Sequence, residues 1–402
     1  MTDSSTPSSG RLVAFVGSYA SGPADGGGGI TVVEVQDDGA ALSVLSATSV
    51  PEEAGYLKYA PSTGTLYAVD ERKTDGRGPV RAPASVRAFK VDQADGSLTR
   101  LNTLIAPAPF PTYLDFDEKR RALVCASHGS FDHVEQIVRT AEGWTVEYVY
   151  DDSAVLLYSV KPDGSLDVLR DVVVLAGHGL DPNDSPQAGG HGQASAHAHS
   201  AVIDPSARYV IVCDKGTDVI SVFELSDTLT LVSEFAMRQQ TGPRHLVFDT
   251  SGTHALLTCE FSSEVASLGF DPETGTFELI DSASSTADGF TGLNEPADLR
   301  LHPDGRFLYV NNRGEDSLAW FEIMPDKSLA RRGHVALAKS LHPGLAARSF
   351  AFTPSADTVL IADRPAGLIR AYRVDRTTGA LTELSELSLP DPAFIEFAEL
   401  AS

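Results

Sequence analysis

The chain has 402 residues, with 31 Lys+Arg against 55 Asp+Glu and a formal charge of −24. So acidic a body repels phosphate backbones and anionic headgroups, which leaves nucleic acid and membrane surfaces out of the expected partners. With 42% apolar and 21% charged residues the composition is globular, and no apolar run approaches the ~20 residues of a transmembrane helix.

The first ten residues, MTDSSTPSSG, have the composition of a disordered tail, and a single domain is expected over 11–402. From there one pattern recurs: an apolar strand, a short turn, a second apolar strand, then polar residues. It reads YLKYAPSTGTLYAVDE from 56, YLDFDEKRRALVCASH from 113, SAVIDPSARYVIVCDK from 200, HLVFDTSGTHALLTCE from 245, DLRLHPDGRFLYVNNR from 298 and SFAFTPSADTVLIADR from 349. An eroded seventh copy ends at Phe15-Val16-Gly17-Ser18-Tyr19. The copies are ungapped, and a further β-rich stretch follows each, as in VISVFEL from Val219. Turn signals such as Pro-Asp-Gly and the lack of amphipathic helical periodicity make the chain all-β. Seven units of about this size predict a seven-bladed β-propeller of four-stranded antiparallel blades. The interval from 113 to 200 is longer than the others, and its extra residues divide between 131–152 and a Gly/His-rich segment, 177–199, that reads as an insertion loop. The last strand, Phe394-Ile395-Glu396-Phe397, is expected to pair with the N-terminal strand and close the ring.

An antiparallel hairpin brings the start of its first strand and the end of its second to one edge, so aligned positions become rings around one mouth of the central channel. The residue before each copy gives Gly55, Thr112, His199, Arg244, Ala297 and Arg348, and the first residue gives Tyr56, Tyr113, Ser200, His245, Asp298 and Ser349. The last residue gives Glu71, His128, Lys215, Glu260, Arg313 and Arg364. Ordinary turns favour Gly, Asn, Asp and Ser, whereas Arg and His gather here. Cations collected at one mouth of an acidic protein point to a small anionic ligand, because guanidinium groups match carboxylate and phosphate geometry.

The segments HAHSAVIDPSARYVIVCDKGTDVISVF, GPRHLVFDTSGTHALLTCEFSSEV, LHPDGRFLYVNNRGEDSLAWF and ARSFAFTPSADTVLIAD resemble the β-propeller lactonase family, which comprises the propeller-type 6-phosphogluconolactonases and the 3-carboxy-cis,cis-muconate lactonising enzymes. The resemblance covers nearly the whole chain and also implies a seven-bladed fold. It implies a site made of a histidine, two arginines and a glutamate: His199 in HAHSA, Arg244 in GPRH, Glu260 in LLTCE and Arg313 in NNRG, with His197 as the alternative histidine. His128, Lys215, His245, Arg348, Tyr56 and Tyr113 are then the expected substrate-binding residues around these four.

Opening a lactone needs a water nucleophile, stabilisation of the carbonyl oxygen and protonation of the leaving alkoxide. His199 or Glu260 is the expected proton carrier and Arg244 or Arg313 the oxyanion partner. The same groups in the other sense would close a muconate, and a non-catalytic propeller acting as an interaction platform is the reading from a different class. No Gly-x-Ser-x-Gly elbow or His-Glu-x-x-His zinc motif occurs. His178, His191, His197 and His199 raise a metal hypothesis, with His197 and His199 the pair in question, but no familiar ligand spacing supports it, and neither metal nor other cofactor is expected. The three scattered cysteines give no disulfide framework and are expected to be buried and inert; with no signal-like N-terminus, the expected compartment is the cytoplasm.

Overall fold

The computed structural model describes residues 10–20, 26–73, 83–185 and 187–401. The expected N-terminal tail, apart from Gly10, lies outside the described residues. Seven four-stranded antiparallel sheets account for all but two of the strands, and helical structure among the described residues is limited to four short 3-10 turns.

Every repeat copy forms the two inner strands of a blade. Blade 4 shows the plan: Ala198–Ile203 innermost, then Tyr209–Asp214, Val219–Leu225 and Leu229–Ala236. The second strand is buried throughout in blades 2 to 7, as in Tyr209–Asp214 or His254–Cys259. Its two faces press on neighbouring blades, which is why it reads as a continuous apolar run and not as an alternation. Outermost strands such as Leu229–Ala236 alternate instead, because only one face is covered. The turn between the two inner strands holds one residue at positive φ in six blades, immediately before the second strand at Gly64 and Arg121 and two residues before it at Ala207, Gly252, Gly305 and Ala356. Glycine holds three of these six positions, as expected where the left-handed region penalises a Cβ.

Closure explains the eroded copy. In blade 1 the innermost strand is Pro392–Leu400, paired with Arg11–Ser18 from Arg11↔Leu400 to Ser18↔Pro392. The missing first half of the seventh repeat is therefore carried by the other end of the chain, and Phe394 and Tyr19 take the blade 1 ring positions. The ring is locked by backbone pairing between the two ends of the sequence.

The two insertions behave differently. The stretch 131–152 folds into a separate two-stranded sheet, His133–Thr140 with Gly143–Tyr150, between the second and third strands of blade 3. The loop from 177 has a single 3-10 turn, Ala188–Gly190, and gives way to strand at Ala198.

Candidate functional site

At the mouth where the inner strands start, a cleft of about 630 Å³ opens, lined among others by His128, Phe131, His199, Lys215, Glu260, Glu295, Arg313 and Arg348. A narrower hollow continues beneath it into the channel, lined by Tyr56, His199, Arg244, His245, Asp298 and Phe394 among others. His199, Glu71, Thr112 and Arg348 border both spaces.

Glu260 is the centre. It directly follows the second strand of blade 5 and is 1% exposed. One oxygen, Oε1, lies 3.0 Å from Lys215 Nζ and 2.9 Å from Arg313 Nη2, while Oε2 lies 2.8 Å from Arg244 Nε. Burial alone would raise its pKa, but Lys215, Arg313 and Arg244 hold it well below the usual carboxylate range. Three blades thus deliver three cations to one carboxylate. Arg313 also reaches Glu295, 3.2 Å to Oε2, and donates through Nε to the Glu295 carbonyl at 3.1 Å.

Local sequence places these cations. The glycines after Lys215 and Arg313 let the chain turn away at once: a Cβ on Gly216 would meet the Ser195 carbonyl at 2.0 Å, and one on Gly314 the Leu293 carbonyl at 2.0 Å. Asp214, just before Lys215, accepts from the backbone N–H groups of His197 (2.7 Å) and Gly216 (2.9 Å), tying the strand end to the loop that carries the histidines. Burial pushes the Asp214 carboxyl up to about 6. At the start of the innermost strands, register irregularities in blades 3 to 6 fall at the ring positions, between Pro243 and Leu246 in blade 5 for example. There Arg244 and His245, consecutive in sequence, both face the inner hollow.

The histidines form a chain of contacts. His128 stacks on His197 with centroids 4.6 Å apart, meets His199 edge-on at 5.6 Å, and His199 meets His245 at 5.1 Å. Burial, then Arg244, His245 and Lys215, push the His199 pKa well below the ordinary 6.5, so its imidazole is neutral at pH 7. His199 Nδ1 is buried and makes no hydrogen bond to the described residues, as is true of His245 Nε2 and Arg244 Nη1. His245 Nδ1 lies 3.2 Å from Asp298 Oδ1. Burial likewise lowers His245 to about 4.

The structure brings His128, His199, Lys215, Glu260, Arg313 and Arg348 to the cleft, and Arg244, His245 and Tyr56 to the hollow beneath. Two expected substrate-binding residues lie apart from both. His197 is fully buried behind His128, its Nδ1 bonded to the His128 carbonyl at 2.9 Å. Tyr113 packs against Tyr56, centroids 4.4 Å apart, deeper in the channel. No group of three or more His, Cys, Asp or Glu among the described residues is arranged to hold a metal ion. All three cysteines are free and buried.

Several site residues were missed by the ring alignment. Glu295 precedes its repeat copy by three residues and reaches Arg313 because the strand begins at Glu295, earlier than the copy suggests. Tyr19 sits between Arg348 and Arg364 with ring centroid 5.4 and 4.8 Å from their guanidinium carbons, accepts from Arg348 at 2.7 Å and donates to Glu71 at 2.6 Å. Its place in the eroded copy was the available signal. Gln187, in the insertion loop, accepts from Lys215 Nζ at 3.2 Å and bonds Glu260; the turn composition of that loop gave no hint of it.

Residues 13–397 match the family model described as lactonase, 7-bladed beta-propeller. A 6-phosphogluconolactonase of Bacillus subtilis is 28% identical over 391 residues, covering 96% of this chain and 98% of the relative. Among solved structures, a Lactobacillus plantarum protein is 26% identical with a TM-score of 0.78, covering 97% of this chain and all of that one. The periplasmic gluconolactonase PpgL of Pseudomonas aeruginosa shares the fold at 24% identity with a TM-score of 0.81, covering 97% of this chain and all of that chain. With a repeat that closes into seven blades and a match over almost its full length, this chain belongs to the lactonase family of seven-bladed β-propellers.

Proposed function

We propose that the protein hydrolyses a small lactone bearing a carboxylate or phosphate, and does so at the cleft around Glu260. The observation that carries this reading is a neutral, buried histidine with an unpartnered ring nitrogen lining the same cleft as a carboxylate held by three cations. Ester opening asks for these two elements, a proton acceptor that is uncharged at neutral pH and fixed positive charge where the carbonyl oxygen becomes negative.

The roles follow from position. Glu260, pinned as an anion by Lys215, Arg244 and Arg313, is a poor base and serves to hold the cations in place. His199 borders both cleft and hollow, so it takes the proton from the attacking water and returns it to the ring alkoxide. Arg313 lines the cleft, whereas Arg244 lines the hollow beneath and does not line the cleft. Arg313 is accordingly the oxyanion partner and Arg244 the support of Glu260. Lys215, Arg244 and Arg313 are engaged by Glu260, whereas Arg348 donates to the neutral Tyr19 hydroxyl at 2.7 Å, which makes it the cation that suits a single anionic group on the substrate. Arg348, at the border between the spaces, is placed to bind that group. The three buried free thiols agree with a reducing compartment, and we place the activity in the cytoplasm.

The test is acid release on a panel of sugar, phospho-sugar, carboxymuconate and aryl lactones, run with wild type and His199→Ala. Turnover of the anionic lactones that collapses in the variant supports the reading. Rates no higher than spontaneous opening across the panel would sink it, and formation of lactone from a muconate would favour the ring-closing sense.

A further inference from the structure

Outside the cleft, the most unusual feature is the hairpin of blade 3. His133–Thr140 pairs with Gly143–Tyr150 as a sheet of its own that joins no blade. Two-stranded sheets are marginal in water without something to cover a face. Here one face carries Ile137, Trp144, Tyr148 and Val146, exposed by 80%, 70%, 56% and 45%. Contiguous exposed apolar surface of this kind marks an interaction site.

The order of residues along that face identifies the occupant. Cross-strand pairs on it run Glu135–Tyr148, Ile137–Val146 and Arg139–Trp144, at successive two-residue steps. Arg139 lies over the Trp144 ring, its guanidinium carbon 5.6 Å from the centroid, which keeps the charge on this face. A two-fold axis crossing the strands at Ile137–Val146 would set Arg139 against Glu135 of a second copy, and Trp144 against Tyr148. Ile137 and Val146 would each meet themselves. The Arg139–Glu135 contact is then complementary, and it occurs twice. The opposite face lacks this symmetry: the same operation there sets Gln136 against Val138 and Glu147 against Thr145.

We propose that this hairpin is a homodimerisation element, two copies meeting face to face through an isologous contact centred on Ile137. The contact is small beside a standard interface, so the dissociation constant is expected in the micromolar range.

Sedimentation velocity of the full chain from about 1 to 100 µM measures it. A reversible monomer–dimer equilibrium is expected. Ile137→Asp should leave monomer only, with unchanged circular dichroism showing that the propeller is intact. Arg139→Glu and Glu135→Arg should each raise Kd by at least about tenfold, since like charges then meet twice. Combining them restores opposite signs and should bring Kd back to within about threefold of wild type, which nonspecific apolar association would not do. A wild type that stays monomeric throughout, or a double swap no better than either single one, overturns the proposal.

Discussion

The channel holds two layers of charge, and they are wired differently. At the mouth, Glu260 is shared by Lys215, Arg244 and Arg313. Two residues further along the innermost strands, Tyr56, Tyr113, Asp298 and Phe394 give way to Lys58, Asp115, Arg300 and Glu396. In this belt Lys58 pairs with Asp115 at 2.8 Å, Arg300 reaches back to Asp298 at 3.3 Å, and Glu396 accepts from the Tyr59 N–H at 3.0 Å. The belt matches its charges nearly one to one. The mouth crowds cations onto a fully buried carboxylate and keeps an uncharged histidine beside them. One-to-one pairing satisfies each belt charge locally and ties neighbouring innermost strands together, whereas the mouth sets cations from three blades around one carboxylate.

Removing the hub should have the largest effect. Glu260→Ala leaves three buried cations facing one another and is expected to abolish turnover and cost about 3–5 kcal/mol of stability in urea melts. Glu260→Gln should lose less stability. If either variant retained wild-type turnover, the mouth would be no more functional than the belt. Next comes His199→Ala, expected to lower kcat by roughly 10²–10⁴-fold while leaving the melting curve near wild type. A loss confined to KM would instead assign His199 to binding.

A smaller effect comes from pH. His197 and His245 are held near 4 in the fold against about 6.5 in an unfolded chain. The unfolded state therefore binds more protons between those values, so their contribution to stability is complete above pH 6.5 and is lost as pH falls toward 4. By pH 5 each should have cost roughly 2 kcal/mol, readable as a drop in the urea midpoint relative to pH 7. The belt has no histidine, so His197→Gln should remove its own share of this dependence, leaving that of His245, and Lys58→Met should leave it unchanged. Last, Lys58→Met breaks a pair whose lysine side chain is 33% exposed. It should change stability by about 1 kcal/mol or less and turnover by less than about twofold; a larger loss of activity would bring the belt into the reaction.

How far the site could be read depended on the regularity of the repeat. His199, Arg244, Glu260 and Arg313 converge because each occupies a strand end, and strand ends were visible in the copies. Glu295 escaped because a strand irregularity separates it from its aligned slot. Gln187 escaped because a loop has no periodicity to align. His197 and His199, two apart, looked interchangeable in sequence; only packing showed that one is buried behind His128 while the other borders both spaces.

The sequence by itself determined the number of blades, their strand order and the closure by Phe394–Phe397, because alternation and repetition are local properties that backbone pairing converts into a fixed topology. It also brought to the mouth the strand-end residues His128, His199, Lys215, Glu260, Arg313 and Arg348. Tertiary structure alone decided how those charges share one another, which arginine lines the cleft, and that the 131–152 insertion stands apart as a sheet. Those outcomes depend on distances of a few ångströms between different blades, and Coulombic and packing energies at that range are set by three-dimensional neighbours that no single stretch of chain encodes.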